Sequence, residues 1–193
     1  MPKVFTEQDR DIIRAKLLEA GLTRLEYKGY GSISIDEVAA EVGIAKGTFY
    51  SFFSSKELYF YEIMQFIKER NRREMQDVLQ DSQSPEAVTS YLCRKYTQIK
   101  TVYDYFTPEE MKRIVRTIPE EAQKDDSAEF AEMICGALGV SAGEMKQETI
   151  VAMSNILAAA AANRSILRQD AYERAVSVFC RAMADYIFGG EVS

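Results

Sequence analysis

The residues best placed to do chemistry lie between positions 45 and 56, in "AKGTFYSFFSSK", where Lys46 and Lys56 are cations, Thr48 and Ser51 carry hydroxyls and Tyr50 carries a phenol. No carboxylate falls in this stretch, and Ala45 and Gly47 are small enough to let a helix end come close to another surface. Such a set suits hydrogen bonds and ion pairs to phosphate oxygens and base edges. Bond-making chemistry finds little support. The chain contains no His, which removes the commonest general base and the commonest metal ligand. Cys93, Cys135 and Cys180 are far apart and have no CxxC partner, and neither a G-x-S-x-G elbow nor a P-loop occurs. The three thiols read as reduced and buried, and paired acids such as Glu109 and Glu110 read as a helix start complementing its dipole. No catalytic group, metal site or cofactor is expected.

Two short helices must position that stretch. With Gly43 as a corner, Val38, Ala39 and Val42 fall on one inward stripe before it and Ile44, Phe49 and Phe52 on another after it. Two helices that cross steeply need large apolar side chains on facing stripes, a small residue where the backbones meet, and a glycine at the turn. The spacing is that of a helix-turn-helix. Lys46, Gly47, Thr48, Tyr50 and Ser51 are left facing outward, a small positive face that suits a DNA groove. Lys56 stands in the first turn of the next helix, where a cation opposes the helix dipole, so a phosphate partner explains it better than a structural role. The first amides of that helix, and those following Ser34, favour phosphate oxygens in the same way. The competing reading is a small helical hairpin in a core, with Tyr50 and Lys56 as ordinary surface residues.

Across the whole chain the same helical grammar repeats. The 193 residues, 47% of them hydrophobic, are enough for a real core, and 24 basic against 30 acidic residues give a net charge of -6. No global field draws such a chain to nucleic acid, so DNA contact must be local. Helix starts in which a Ser, Thr or Asp precedes an acid by three positions occur at Thr6, Ser34, Ser54, Thr107, Ser141 and Asp170. Glycines and prolines close the intervening segments, and no alternating strand pattern appears. An all-α protein of about nine helices is expected, over residues 6–28, 34–42, 45–52, 54–80, 85–103, 107–117, 119–139 with a break near Asp125, 142–168 and 170–188. Residues 1–56 form the expected helix-turn-helix DNA-binding domain and 57–193 a second helical domain. No signal-like leader or membrane span is read, which gives a cytoplasmic expectation.

The stretch "GYGSISIDEVAAEVGIAKGTFYSFFSSKEL" resembles the TetR family of bacterial transcriptional regulators. The likeness rests on Gly29 and Tyr30, Ser34, Val38 and Ala39, Gly43 and Ile44, Gly47 and Thr48, Tyr50, Phe53, and Ser55 with Lys56. It covers about the first 60 residues. It implies that Ser34, Thr48, Tyr50 and Lys56 contact phosphate and that Lys46 and Gly47 lie at the major groove. Ala45 departs from the pattern, which usually has a capping Ser there; its loss costs the helix end about 1 kcal/mol.

The resemblance also implies a homodimer, a small-molecule effector and a double-stranded DNA operator. A two-fold regulator needs a dimer interface, and the two C-terminal helices offer Ile150, Leu157, Ala161, Tyr172, Val176, Phe179 and Met183 on wide apolar stripes. The middle helices, where such proteins enclose a ligand, carry Tyr91, Tyr96, Tyr103, Phe106, Phe130 and Met133. Ligand bound there would favour one spacing of the two DNA heads, with helix 54–80 passing on the change. The expected function is a ligand-responsive, sequence-specific repressor released from a palindromic operator. A helical protein-binding module that keeps the motif without DNA activity is the alternative.

Overall fold

The computed structural model describes residues 6–120, 123, 126–137 and 144–189, and every regular element among them is helical. In chain order these are α1 (Glu7–Leu25), α2 (Ile35–Val42), α3 (Lys46–Phe49), α4 (Lys56–Asp81), α5 (Pro85–Thr97), α6 (Val102–Tyr105), α7 (Pro108–Val115), α8 (Asp126–Ala137), α9 (Glu144–Ala162) and α10 (Gln169–Ile187). The all-α expectation holds.

Local chemistry explains most boundaries. At α1, Thr6 Oγ1 accepts from the Asp9 N–H at 3.1 Å while the Asp9 carboxylate accepts from the Thr6 N–H at 3.0 Å. Thr107 and Glu110 repeat this exchange at α7, where Pro108 fills the first helical position. Ser84 caps α5 through the Ala87 N–H at 3.1 Å. Three expected caps differ. Ser34 makes no side-chain cap bond, and Glu37, the acid three positions on, is paired with Arg24. At α4 it is Ser55, not Ser54, that accepts from the Leu58 N–H at 3.0 Å. The last helix begins after Arg168 with no side-chain cap, while Asp170 pairs with Arg168 and Arg174. The Ser141 cap and the break at Asp125 lie outside the described residues.

The segment expected as one helix over 85–103 is broken. α5 ends at Thr97, and Asp104 then accepts from the Thr101 N–H at 2.8 Å and from its hydroxyl at 3.1 Å, restarting the chain as α6.

The chain folds as two compact units, each assembled from two separate stretches. The first comprises the chain up to Ile67 together with Tyr105–Gln123, so it takes in more than the 1–56 segment marked out from sequence. Its core is aromatic: Phe49, Phe53, Tyr59 and Phe60 are fully buried, with edge-on ring pairs about Tyr59 at 4.9 to 5.0 Å. Gly21 is required here, since a Cβ at that position would stand 2.1 Å from the Tyr59 Oη, which itself donates to the Leu17 carbonyl at 2.5 Å. The second unit comprises Lys68–Asp104 and the chain from Lys124 onward. There α10 packs along α5, and α8 along α9, around Met75, Leu79, Val88, Leu92, Ile134, Cys180 and Met183. Lys146 Nζ donates to the Ile187 carbonyl at 2.8 Å and so closes the end of α10 onto α9.

Candidate nucleic-acid interface

The corner between α2 and α3 is built as its residues require. Gly43 takes φ 77°, a left-handed conformation open to glycine at little cost, and its N–H and that of Ile44 bond back to Ala40 and Ala39 at 3.1 and 2.9 Å. Val38, Ala39 and Phe49 are buried, and Val42, Ile44 and Phe52 are half-buried. Arg24 of α1 reaches Glu37 and Glu41, both at 2.8 Å, and Lys28, just past the end of α1, reaches Glu37 at 3.3 Å, fastening α2 in place.

α3 is shorter than the expected 45–52. Ala45 has the extended backbone of a cap residue, φ -73° and ψ 151°, but no side-chain oxygen. At the other end, the Ser51 and Phe52 N–H groups fold back three residues to Thr48 and Phe49, at 3.0 and 2.9 Å, so the chain tightens into turns. Two arginines hold that end. Arg10 donates to the Ser51 carbonyl at 3.1 Å and lies over the Phe52 ring at 4.5 Å. Arg14 donates to the Phe52 carbonyl at 3.4 Å, pairs with Glu62 and covers the Phe53 ring at 4.8 Å. Sequence reasoning missed both; their four-residue spacing on α1 was the available signal.

The outward set is displayed together but is not equally free. Ala45, Lys46, Gly47, Tyr50 and Ser51 are exposed, while Ser34, Thr48 and Lys56 are half-buried. Lys46 Nζ lies 2.9 Å from Asp36 on α2, and this contact raises its pKa. The Ser51 hydroxyl donates to the Thr48 carbonyl at 2.7 Å. Lys56 corrects the sequence reading most. Its ammonium donates to the Ile33 carbonyl at 2.7 Å and sits 4.9 Å from the Tyr30 ring centre, so it has the structural role that the dipole argument discounted. Burial lowers its pKa, against the opposing pull of Glu57. That acid accepts from the Tyr30 hydroxyl at 3.3 Å and faces Arg113 of α7 at 3.8 Å. The face is therefore less positive than a count of its lysines suggests.

The expected ligand-lining residues divide between the units. Tyr91 and Tyr96 are buried in the core of the second unit, with Tyr103 and Met133 packed against it. Tyr91 donates its hydroxyl to the Asn71 carbonyl, and Tyr96 accepts through its carbonyl from the Tyr172 hydroxyl at 2.8 Å. Phe106 does not join them: it lies in the first unit, 6.3 Å from Tyr30 and 6.1 Å from Phe60 between ring centres. The side chain of Phe130 lies outside the described residues.

The expected dimer residues also need correction. Ile150, Leu157, Ala161, Tyr172, Val176 and Met183 are buried inside the protomer's own core, and Phe179 is half-buried against it. The opposite faces of the same helices carry apolar residues that are exposed. Ala152, Ile156 and Ala159 of α9 are exposed, as are Ala171, Ala175 and Val178 of α10. No helix among the described residues is long and apolar enough to cross a membrane, and no group of three or more His, Cys, Asp or Glu there could hold a metal.

Comparison with known proteins bears on this arrangement. Residues 17–60 match the family model described as bacterial regulatory proteins, tetR family. An uncharacterized HTH-type transcriptional regulator of Bacillus subtilis, YfiR, is 27% identical over 114 residues, 59% of this chain and 55% of that protein. The transcriptional regulator AcuR of Cereibacter sphaeroides is 38% identical over 48 residues, 25% of this chain and 22% of its own length. The chain thus spans about half the length of the first of these curated relatives and less of the second. Among solved structures, a TetR transcriptional regulator from Rhodococcus sp. RHA1 superposes with a TM-score of 0.65 at 18% identity, over 92% of this chain and 97% of that one. A tetR-family regulator from Streptomyces coelicolor gives 0.53 at 14%, over 97% and 91%. At these identities the structural likeness speaks for the fold.

Proposed function

The chain belongs to the TetR family of bacterial transcriptional regulators, and from that membership we propose that it is a homodimeric repressor, released from a palindromic operator by a small molecule. The observation that carries this reading is the α2–α3 corner, where Gly43 turns the chain and Lys46, Gly47, Thr48 and Tyr50 emerge side by side from a fully buried Phe49. Ser34, Ala45 and Ser51 complete the proposed DNA contacts. The first helix N–H groups of α2 have no side-chain cap and stand ready for a phosphate oxygen. Lys46 reaches a phosphate or a base edge by exchanging Asp36 for it, and the exchange is cheap because an exposed ion pair contributes little. Lys56 acts through the loop it braces.

Two copies would place their α3 helices about 34 to 36 Å apart, one turn of DNA. Effector bound in the second unit would favour one spacing over another, and α4, which runs without a break from the first unit into the second, is the covalent route for that preference. A ligand with equal affinity for both spacings would release nothing.

The test is fluorescence anisotropy of the full-length apo protein with a palindromic fragment from upstream of its own gene, at two salt concentrations. Sequence-specific binding should weaken steeply with salt, and Tyr50→Phe and Thr48→Ala should each weaken it further. Absence of sequence-specific binding at low salt would leave the protein-binding module as the better account.

A further inference from the structure

Four buried side-chain atoms have no hydrogen-bond partner among the described residues: Arg24 Nε, Asn71 Oδ1, Glu74 Oε2 and Ser154 Oγ. The last three belong to the second compact unit. Asn71, which is 5% exposed, and Glu74 stand one turn apart on α4, beside the fully buried Met75. Tyr91 ties the stretch to α5, since its hydroxyl donates to the Asn71 carbonyl. Burial raises the Tyr91 pKa, and Glu74 adds to that by more than Arg94 takes away. Ser154, 7% exposed, falls on one face of α9 with Ile150, Leu157 and Ala161, all of them buried in the same core as Met75 and Tyr91.

Buried polar atoms in folded proteins are almost always satisfied, and those left over point to a water or a ligand. The chemistry of these three is one-sided. Asn71 Oδ1 and Glu74 Oε2 only accept, Ser154 Oγ can accept, and one of the set is a carboxylate. Aromatic rings supply the surroundings: Tyr91, Tyr96 and Tyr172 are buried in the same core, and Tyr103 packs against it.

Resting on the reading of this chain as an effector-controlled regulator, we propose that the second unit recognises a small organic amine, its ammonium donating to Glu74 Oε2 and Asn71 Oδ1 and its apolar body lying among the tyrosines. A cation supplies donors that these atoms lack among the described residues, and the rings favour a positive charge over their faces. An anionic ligand would meet acceptors and a carboxylate.

The experiment uses the full-length protein and calorimetric titration with matched probes on one aromatic body: phenethylamine, phenethyl alcohol and phenylacetate, then the same three groups on a naphthyl body. The amines should bind at least tenfold more tightly than their alcohols, with the carboxylates weakest. Glu74→Gln should remove that preference, and Ser154→Ala should weaken the amine severalfold. The proposal is overturned if no amine binds, if an alcohol or carboxylate matches its amine, or if the preference survives Glu74→Gln. The rank order in the unaltered protein decides the matter even if a variant fails to fold. Operator binding is measured alongside. Release of DNA by a non-amine ligand would defeat the amine assignment alone, whereas specific amine binding without any DNA binding would defeat the regulator reading alone.

Discussion

Ala45 stands at the start of α3 with a cap residue's backbone and a methyl group in place of the capping oxygen. The sequence singled it out by its departure from the family pattern, and the structure shows no side-chain cap bond at that helix start. Ala45→Ser should give the first-turn amides an acceptor and stabilise the protein by about 1 kcal/mol, which for a chain of this size raises the thermal midpoint by about 2 to 4 °C. An unchanged midpoint in a calorimetric scan would mean that the turn already satisfies those amides. Glu62 was not legible at all, because its environment is assembled from α1 and α4, far apart in sequence. Burial raises its pKa above the ordinary 4.5 and outweighs the Arg14 guanidinium beside it. The folded protein therefore holds this proton more tightly than the unfolded chain does. Stability from this group is lost as pH rises through the folded pKa, is regained as pH falls back through it, and levels off below the unfolded value. Glu62→Gln should flatten that part of the plot of thermal midpoint against pH, and an identical plot would contradict the burial argument.

At the scale of elements, helices were readable wherever their ends carry their own chemistry. Thr6 with Asp9 and Thr107 with Glu110 form the expected boxes, because caps act within four residues of chain. Thr101 with Asp104 shows the same signature, but the sequence reading carried one helix over 85–103 and so past Thr101. What a local pattern cannot carry is the neighbour an element packs on. Phe106 has the composition of a ligand-site aromatic, yet residues 105–123 return to the first unit, where Phe106 is 3% exposed beside Tyr30 and Phe60. Phe106→Ala should therefore destabilise the DNA-binding unit, by about 3 to 5 kcal/mol for a buried aromatic cut to a methyl. Hydrogen exchange should locate the lost protection around residues 30–60 and leave α9 and α10 as they were. Loss confined to α9 and α10 would place the residue in the other unit after all.

For the whole molecule, the decisive ambiguity lies in α10, whose apolar residues make a stripe wider than one contact needs. Its large members, Tyr172, Val176, Met183 and Ile187, point into the protomer's own core. Ala171, Ala175 and Val178 face outward, and Val178 keeps 72% of its surface exposed. Apolarity alone does not separate the two faces in a sequence, since an internal core and a surface for a second copy ask for the same residue types. Burial separates them here: Val176 is 3% exposed and Val178, two positions on, is 72% exposed. Ala152 and Ala159 on α9 flank Ile156, which is 55% exposed, and small side chains of this kind let helices from two copies approach closely. Placed at the centre of such an interface, Val178→Arg would confront its two-fold mate with a like charge, while in the isolated protomer it would meet only water. Sedimentation should shift from dimer to monomer with the circular dichroism unchanged. Affinity for a palindrome should fall by about 10²-fold or more as the two half-sites lose their linkage, while binding to a single half-site stays near its original strength. A Val178→Arg protein that still sediments as a dimer and still holds the palindrome would put the interface on another face of the second unit.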